Sequence, residues 1–415
     1  MTVEAPVFEE APLQVEPARG PMDWARKNLF NNWYNSLLTV ALAAFVIWAL
    51  VALVRGLLSA EYEIIRANLR LFMIGEFPAD QLWRPWAATY CWAVMFGVTG
   101  GSLAAGARDR ASEAGLPYVR TSLRQILIRF WPILALIAVI LSFTTTITPT
   151  LLAIGTLVVG LGSYYVGRVL PRAVRRWTWL IAVVLIAASY ISLAGFGGVG
   201  WQGWGGLQLN LFLTFAGLLV AFPFGLLLAM GRRSSLPVIR TISVGYIELV
   251  RGVPLITVLI AGAFAIGFII PRDIRPGFVT RMLIAIIAFE AAYIAEVVRG
   301  GLQAVPGGQV EAAQAVGLAP WKTMRLIVLP QALRATIPAM VGQFISLFKD
   351  TTLVAVLGIT ELLEATFVVN SQTAYLGKGL FVVTLSFAAL IFWVGCYTMS
   401  RESRRLERKL GVGER

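Results

Sequence analysis

Glu311-Ala312-Ala313-Gln314-Ala315-Val316-Gly317-Leu318-Ala319-Pro320 lies inside a polar, Gly- and Pro-punctuated stretch that runs from Arg299 to Thr352 between long apolar runs. Polar chain between two membrane-length segments has to emerge into water. Val310 to Val316 carries apolar residues at helical spacing, and Gly317 can take the positive φ that ends a helix. Pro320 suits the first turn of a second helix, where its missing N–H would have no partner. The stretch therefore predicts two short helices joined at a glycine, with Glu311 near the start of the first, where the helix dipole favours an anion. A compact knob of this kind is something a partner protein can grip. An ordinary helical loop between two spans fits the same spacing.

Composition sets the class around that knob. Of 415 residues, 58% are hydrophobic and 14% charged, and the mean hydropathy is +0.76. That leaves too little polar surface to cover a water-soluble globule of this size. The net charge of +13 raises nucleic-acid binding, but the basic residues fall in short clusters between apolar runs, as in membrane proteins. Histidine is absent, and the only cysteines, Cys91 and Cys396, are expected near opposite membrane faces. Neither a disulfide nor a zinc or haem site is expected.

Apolar runs occur at about Leu37 to Val54, Pro85 to Gly106, Trp131 to Thr148, Thr150 to Gly167, Trp177 to Gly195 and Leu207 to Met230. Pro254 to Ile270, Val279 to Val298, a broken element Ile337 to Leu363, and Leu380 to Met399 follow. Each unbroken run approaches the ~20 residues that a helix needs to cross hydrocarbon, and only helices satisfy their backbone in lipid at such lengths. The expected fold is an all-α polytopic bundle of about ten spans. Residues 1–36 are assigned to a disordered cytoplasmic tail, on the Pro- and acid-rich composition of Met1 to Asp23. Residues 37–206 form a five-span extension, 207–400 a second five-span core, and 401–415 a basic cytoplasmic tail. Gly97-x-x-x-Gly101 is expected to allow close helix packing.

Ten spans put four basic clusters on one side: Arg108 to Arg129, Arg168 to Arg176, Arg232 to Arg251, and Arg401 to Lys409. The positive-inside effect makes that side cytoplasmic, together with the Glu311 loop and both termini. Arg272, Arg275 and Arg281 fall on the other side and dissent.

Polar residues at membrane depth are costly and therefore informative. Glu290, Tyr293 and Glu296 recur at a spacing of three, which predicts one stripe along a span that lines a translocation path. For Glu296 the competing reading is a helix-end ion pair with Arg299. Lys349 and Asp350 interrupt the apolar element after Ile337, and broken helices in transporters line cavities, so these two and the adjacent Thr351 are assigned to the substrate path. A structural hinge, with Lys349 and Asp350 paired, accounts for them as well.

Glu311-Ala312-Ala313, three residues, Gly317, nine residues, then Ile327-x-Leu329-Pro330 resembles the EAA loop of binding-protein-dependent ABC importer permeases. The flanks Glu296-Val297-Val298-Arg299-Gly300-Gly301, Lys349-Asp350-Thr351-Thr352-Leu353 and Glu248 to Leu255 are similar to the polar amino-acid branch, the histidine and glutamine type. The resemblance covers roughly Leu207 to Arg408. Asn31-Asn32-Trp33-Tyr34-Asn35 and the long N-terminal part are similar to the M-type subunit of the general L-amino-acid permease. The resemblance implies a type I permease core with its coupling loop near 299–331, in a bacterial inner membrane. It further implies L-amino-acid import driven by separate ATPase subunits, docked at Glu311, Ala312, Ala313, Gly317 and Pro330. A second, homologous permease subunit and a periplasmic amino-acid-binding protein are the other implied partners. The chain has no G-x-x-x-x-G-K-[ST] loop, so ATP is expected on the partner and no cofactor on this chain. An ion-coupled carrier using Glu290 and Glu296 is the alternative, although it has no use for a docking loop. A non-transporting scaffold would leave the buried carboxylates unexplained.

Overall fold

The computed structural model describes residues 20–59, 61–115, 117–118, 122–198 and 203–410. It contains two compact units, Met1–Ala60 and Glu61–Arg415. In the first, α1 spans Pro21–Asn28 and α2 Trp33–Leu58. α1 corrects the expectation of disorder throughout residues 1–36. Pro21 stands at its first position, Asp23 in its first turn, and Arg26 and Lys27 in its last, so every charge complements the helix dipole. Residues 1–19 lie outside the described residues. α2 has 26 apolar-rich residues, enough to cross a bilayer.

The second unit begins with α3 (Glu63–Ile74), an amphipathic helix whose Ile64, Ile65 and Phe72 are buried. α4 (Trp83–Glu113), α5 (Leu123–Arg129), α6 (Trp131–Ser142), α7 (Thr148–Val169), α8 (Arg172–Arg175) and α9 (Thr178–Ala194) follow. Ser122 and Gln125 close a reciprocal capping box on α5. α4 and α7 run side by side in the same direction at very short range. A Cβ on Gly97 or Gly101 would collide with the carbonyl of Gly160 or Tyr164, so this crossing exists because those positions lack side chains. Arg84, buried near the start of α4, donates to the carbonyls of Ser192, Gly195 and Phe196. It satisfies the end of α9, where backbone acceptors have no helical partner.

α10 (Gly206–Arg232), α11 (Pro237–Arg251), α12 (Leu255–Ile269) and α13 (Phe278–Gln303) form the centre of the unit. α10 and α13 pack in parallel, Gly217 against Ile286 and Gly225 against Ile294. α11 and α12 return the chain between them through a bend of 107°. α14 (Gly307–Ala315), α15 (Pro320–Thr323), α16 (Leu329–Asp350), α17 (Leu362–Ser371) and α18 (Phe381–Leu410) complete the chain.

Among the described residues, six helices are long and apolar enough to cross a membrane, or eight if each bent pair counts as one span. Each of the ten apolar runs read from the sequence contains helix, although the run Trp131 to Thr148 is helical only to Ser142 and counts as a span only together with α5; α4 and the 17-residue α9 stand outside that count. Three boundaries move. α16 runs unbroken from Leu329 through Lys349 to Asp350, so those charges do not interrupt it. Pro338 sits inside it, and the departure from α geometry comes afterwards, as a 3-10 turn over Thr351–Leu357. Residues 401–410, the start of the expected basic tail, prolong α18 and are held by Arg129, which donates to Glu402 through Nε at 2.6 Å. Glu61–Arg415 forms one unit, so Gly206 is not the edge of a separate body.

The dissenting cations also find a local reason. Arg281 is part of α13 and donates to the carbonyl of Ala263, while Arg275 leans on the carbonyl of Ile270 at the end of α12. Both side chains donate to backbone carbonyls, Arg281 to one inside α12 and Arg275 to one at its end.

Candidate functional site

The predicted knob is present. Val316 ends α14, the Gly317 N–H donates to the Gln314 carbonyl at 2.9 Å, and the Leu318 N–H donates to that of Ala313 at 3.0 Å. These two bonds constitute a Schellman cap, and Gly317 carries the φ of +80° that it requires. α15 starts at Pro320 as expected. Glu311, however, is the fifth residue of α14 and not part of its first turn, because the helix already begins at Gly307 after Pro306. Its carboxylate points into solvent without special help from the dipole.

α15 passes through a π turn, Met324–Val328, into α16. Pro330, with no N–H to give back to the preceding turn, stands at that junction. Ala313 and Val328 are buried beneath the knob, whereas Val316, Trp321 and Leu326 are 76%, 61% and 59% exposed on it. Large apolar side chains held out on a rigid, capped turn mark a surface made for contact.

Below the knob, Glu296 gathers three arginines from three helices. Arg299 donates to Glu296 Oε1 through Nε at 2.9 Å, and Arg232 and Arg251 stand 3.6 and 3.5 Å from Oε2. Arg232 also pairs with Glu248 at 3.0 Å, and the Arg251 guanidinium lies 5.5 Å from the Tyr293 ring centre. This node fastens the ends of α10, α11 and α13, and Arg299 extends it to Gln303 at 2.7 Å.

Glu290 has a different environment. It is 2% exposed, and its Oε2 has no hydrogen-bond partner among the described residues. α13 packs here against α16, on which the Asp350 carboxylate accepts from Ser346 at 3.1 Å. The predicted single stripe therefore divides. A spacing of three falls about 60° short of a full turn at each step, so Glu296 has rotated well away from Glu290. Lys349 is exposed on α16.

Thr351 belongs to a third group. Asn210 donates through Nδ2 to Thr351 Oγ1 at 3.0 Å and to Glu361 Oε2 at 2.9 Å, and its Oδ1 accepts from the Leu362 N–H at 3.1 Å. Glu361 caps α17 by accepting from Leu363 and Glu364. All three residues are fully buried. The sequence offers one signal for Asn210, which with Gln208 is one of two amides at the head of the apolar run Leu207 to Met230; Glu361 has none beyond preceding a helix.

Residues 221–412 match the family of the binding-protein-dependent transport system inner membrane component. Over 412 residues, 94% of each chain, the sequence is 34% identical to the inner membrane amino-acid ABC transporter permease protein YhdY of Escherichia coli (strain K12). The chain belongs to this permease family. It is a membrane permease subunit of an ABC importer, a multi-pass protein of the inner membrane. It is likewise 34% identical over 430 residues, 94% of each chain, to the glutamate/glutamine/aspartate/asparagine transport system permease protein BztC of Rhodobacter capsulatus. A crystal structure of an amino acid ABC transporter with histidines is similar over 48% of this chain and 90% of that one, with 29% identity and a TM-score of 0.44.

Proposed function

We propose that this permease imports amino acids, with α14, α15 and the turn to Pro330 as the cytoplasmic foothold of a separate ATPase subunit. The observation that carries the coupling role is the capped turn at Gly317 with Val316, Trp321 and Leu326 exposed around it. Short rigid helices transmit a push that a flexible loop would absorb. Amino acids are the substrate class because two relatives matched over nearly their whole length carry that substrate in their names. The ATP belongs to the partner, both termini face the cytoplasm, and a second permease chain completes the path with a soluble binding protein delivering the substrate.

Within the path we assign Glu290 and Asp350 to the α-ammonium common to all amino acids. Glu290 is buried on α13, which packs against the α16 that carries Asp350; carboxylates at membrane depth draw a cation, and Glu290 Oε2 is free of hydrogen bonds among the described residues. Glu296 and Thr351 serve instead as anchors, held in their own networks.

Proteoliposomes test the assignment. The assembly with ATPase, second permease and binding protein should take up amino acids only with ATP, and this chain alone should show neither uptake nor hydrolysis. Uptake by the lone chain on a proton or sodium gradient would identify an ion-coupled carrier. Glu290→Gln is expected to lower uptake by about tenfold, the loss of one charge-assisted contact, while ATPase association remains intact. Loss of association as well would make Glu290 a structural residue.

A further inference from the structure

The extension carries a basic cluster that import does not use. Arg108, Arg110, Arg168, Arg172, Arg175 and Arg176 collect where α4 and α7 end and α9 begins. Asp109 accepts from Arg172 at 3.0 Å and also pairs with Arg175, and Glu113 pairs with Arg172 at 2.8 Å. Two acids thus face six arginines. Arg168 and Arg176 have no ion pair among the described residues. The Arg168 guanidinium lies 5.8 and 5.9 Å from the ring centres of Tyr164 and Tyr165, and that of Arg176 lies 5.4 Å from Trp177.

Beside these arginines is a shallow, open apolar groove lined by Tyr165, Val166, Val169, Leu170 and Pro171. Val169, at the end of α7, is 83% exposed. A soluble anion would satisfy the arginines and leave this groove bare. A lipid without net charge would fill the groove and leave the arginines unmatched. One molecule that does both has an anionic head and an acyl chain. Exposed Tyr165, Trp177 and Trp179 set the level of the membrane interface here, where such a head would sit.

We propose that the end of α7, with α8 and the start of α9, binds one anionic glycerophospholipid, its phosphate on Arg168 and Arg176 and an acyl chain along Val166 and Val169. The role for the extension is to hold the permease to acidic lipid on its basic face.

The test is native mass spectrometry of the full chain released from mixed phosphatidylglycerol and phosphatidylcholine nanodiscs. One retained phosphatidylglycerol is expected, preferred over phosphatidylcholine by about tenfold. Arg168→Gln/Arg176→Gln should bring that preference to within about twofold, and since neither residue holds an acid, melting in phosphatidylcholine should be unchanged. Val169→Trp, which fills the groove and keeps every charge, should also release the lipid. Arg404→Gln/Arg408→Gln, on the distant end of α18, should leave retention as it was. Equal retention of the two lipids by the wild type would overturn the site. So would an undiminished preference in the double or groove variant, an equal loss in the distant control, or displacement by millimolar glycerol phosphate.

Discussion

Gly317→Val is expected to abolish most ATP-driven uptake while leaving the membrane body folded. Gly317 holds φ +80° with nothing within 4 Å of the place where a Cβ would be, so the cost is in the backbone and not in a clash. A β-branched residue forced into that region is destabilised by about 2 kcal/mol or more, enough to shift a docking-competent turn by a factor of about thirty. The Leu318 and Gly317 N–H bonds to α14 would open, and Trp321 would lose its fixed position relative to Val316. Gly317→Asn, which tolerates the left-handed region, should retain much of the activity. Pull-down of the ATPase and uptake in proteoliposomes measure both effects. Unchanged assembly and uptake in the valine variant would remove the coupling role from this turn.

Asn210→Leu is expected to cost about 2–4 kcal/mol of stability, because it removes one member of a buried polar junction and leaves its partners unsatisfied. The Leu362 N–H and one Glu361 oxygen would be left without the amide that now satisfies them, in a site closed to water. Thr351 would lose its incoming bond, and α10, the 3-10 turn and α17 would lose their common fastening. A melt in detergent followed by circular dichroism should drop by several degrees. Leucine keeps the branched skeleton of asparagine, so a melt as high as that of the wild type would mean the junction contributes little.

Local signals in the sequence were enough for the knob. Gly317 and Pro320 act within a few residues of themselves, and a positive φ or a first-turn proline needs no tertiary context. The apolar runs were legible for the same reason, since crossing a bilayer is a matter of length and composition. What escaped was long-range. The Asn210 junction joins residues about 150 positions apart, and no spacing rule reports on that. The stripe through Glu290 and Glu296 divides because three-residue steps drift around the helix, and the drift leaves Glu290 buried with Oε2 unpartnered among the described residues and Glu296 among three arginines. The element from Ile337 to Leu363 is broken as expected, but the break begins directly after Asp350 and not at the charged pair. A helix already anchored from Leu329 carries two charged residues to its end without breaking.

Photo-crosslinking in intact membranes tests the coupling claim most directly, with a benzophenone side chain placed at Trp321 on the knob or at Arg70 on α3. The account predicts an adduct with the ATPase subunit from Trp321 and none from Arg70. An ATPase adduct from Arg70, or none from Trp321 in an assembly that still transports, would contradict it.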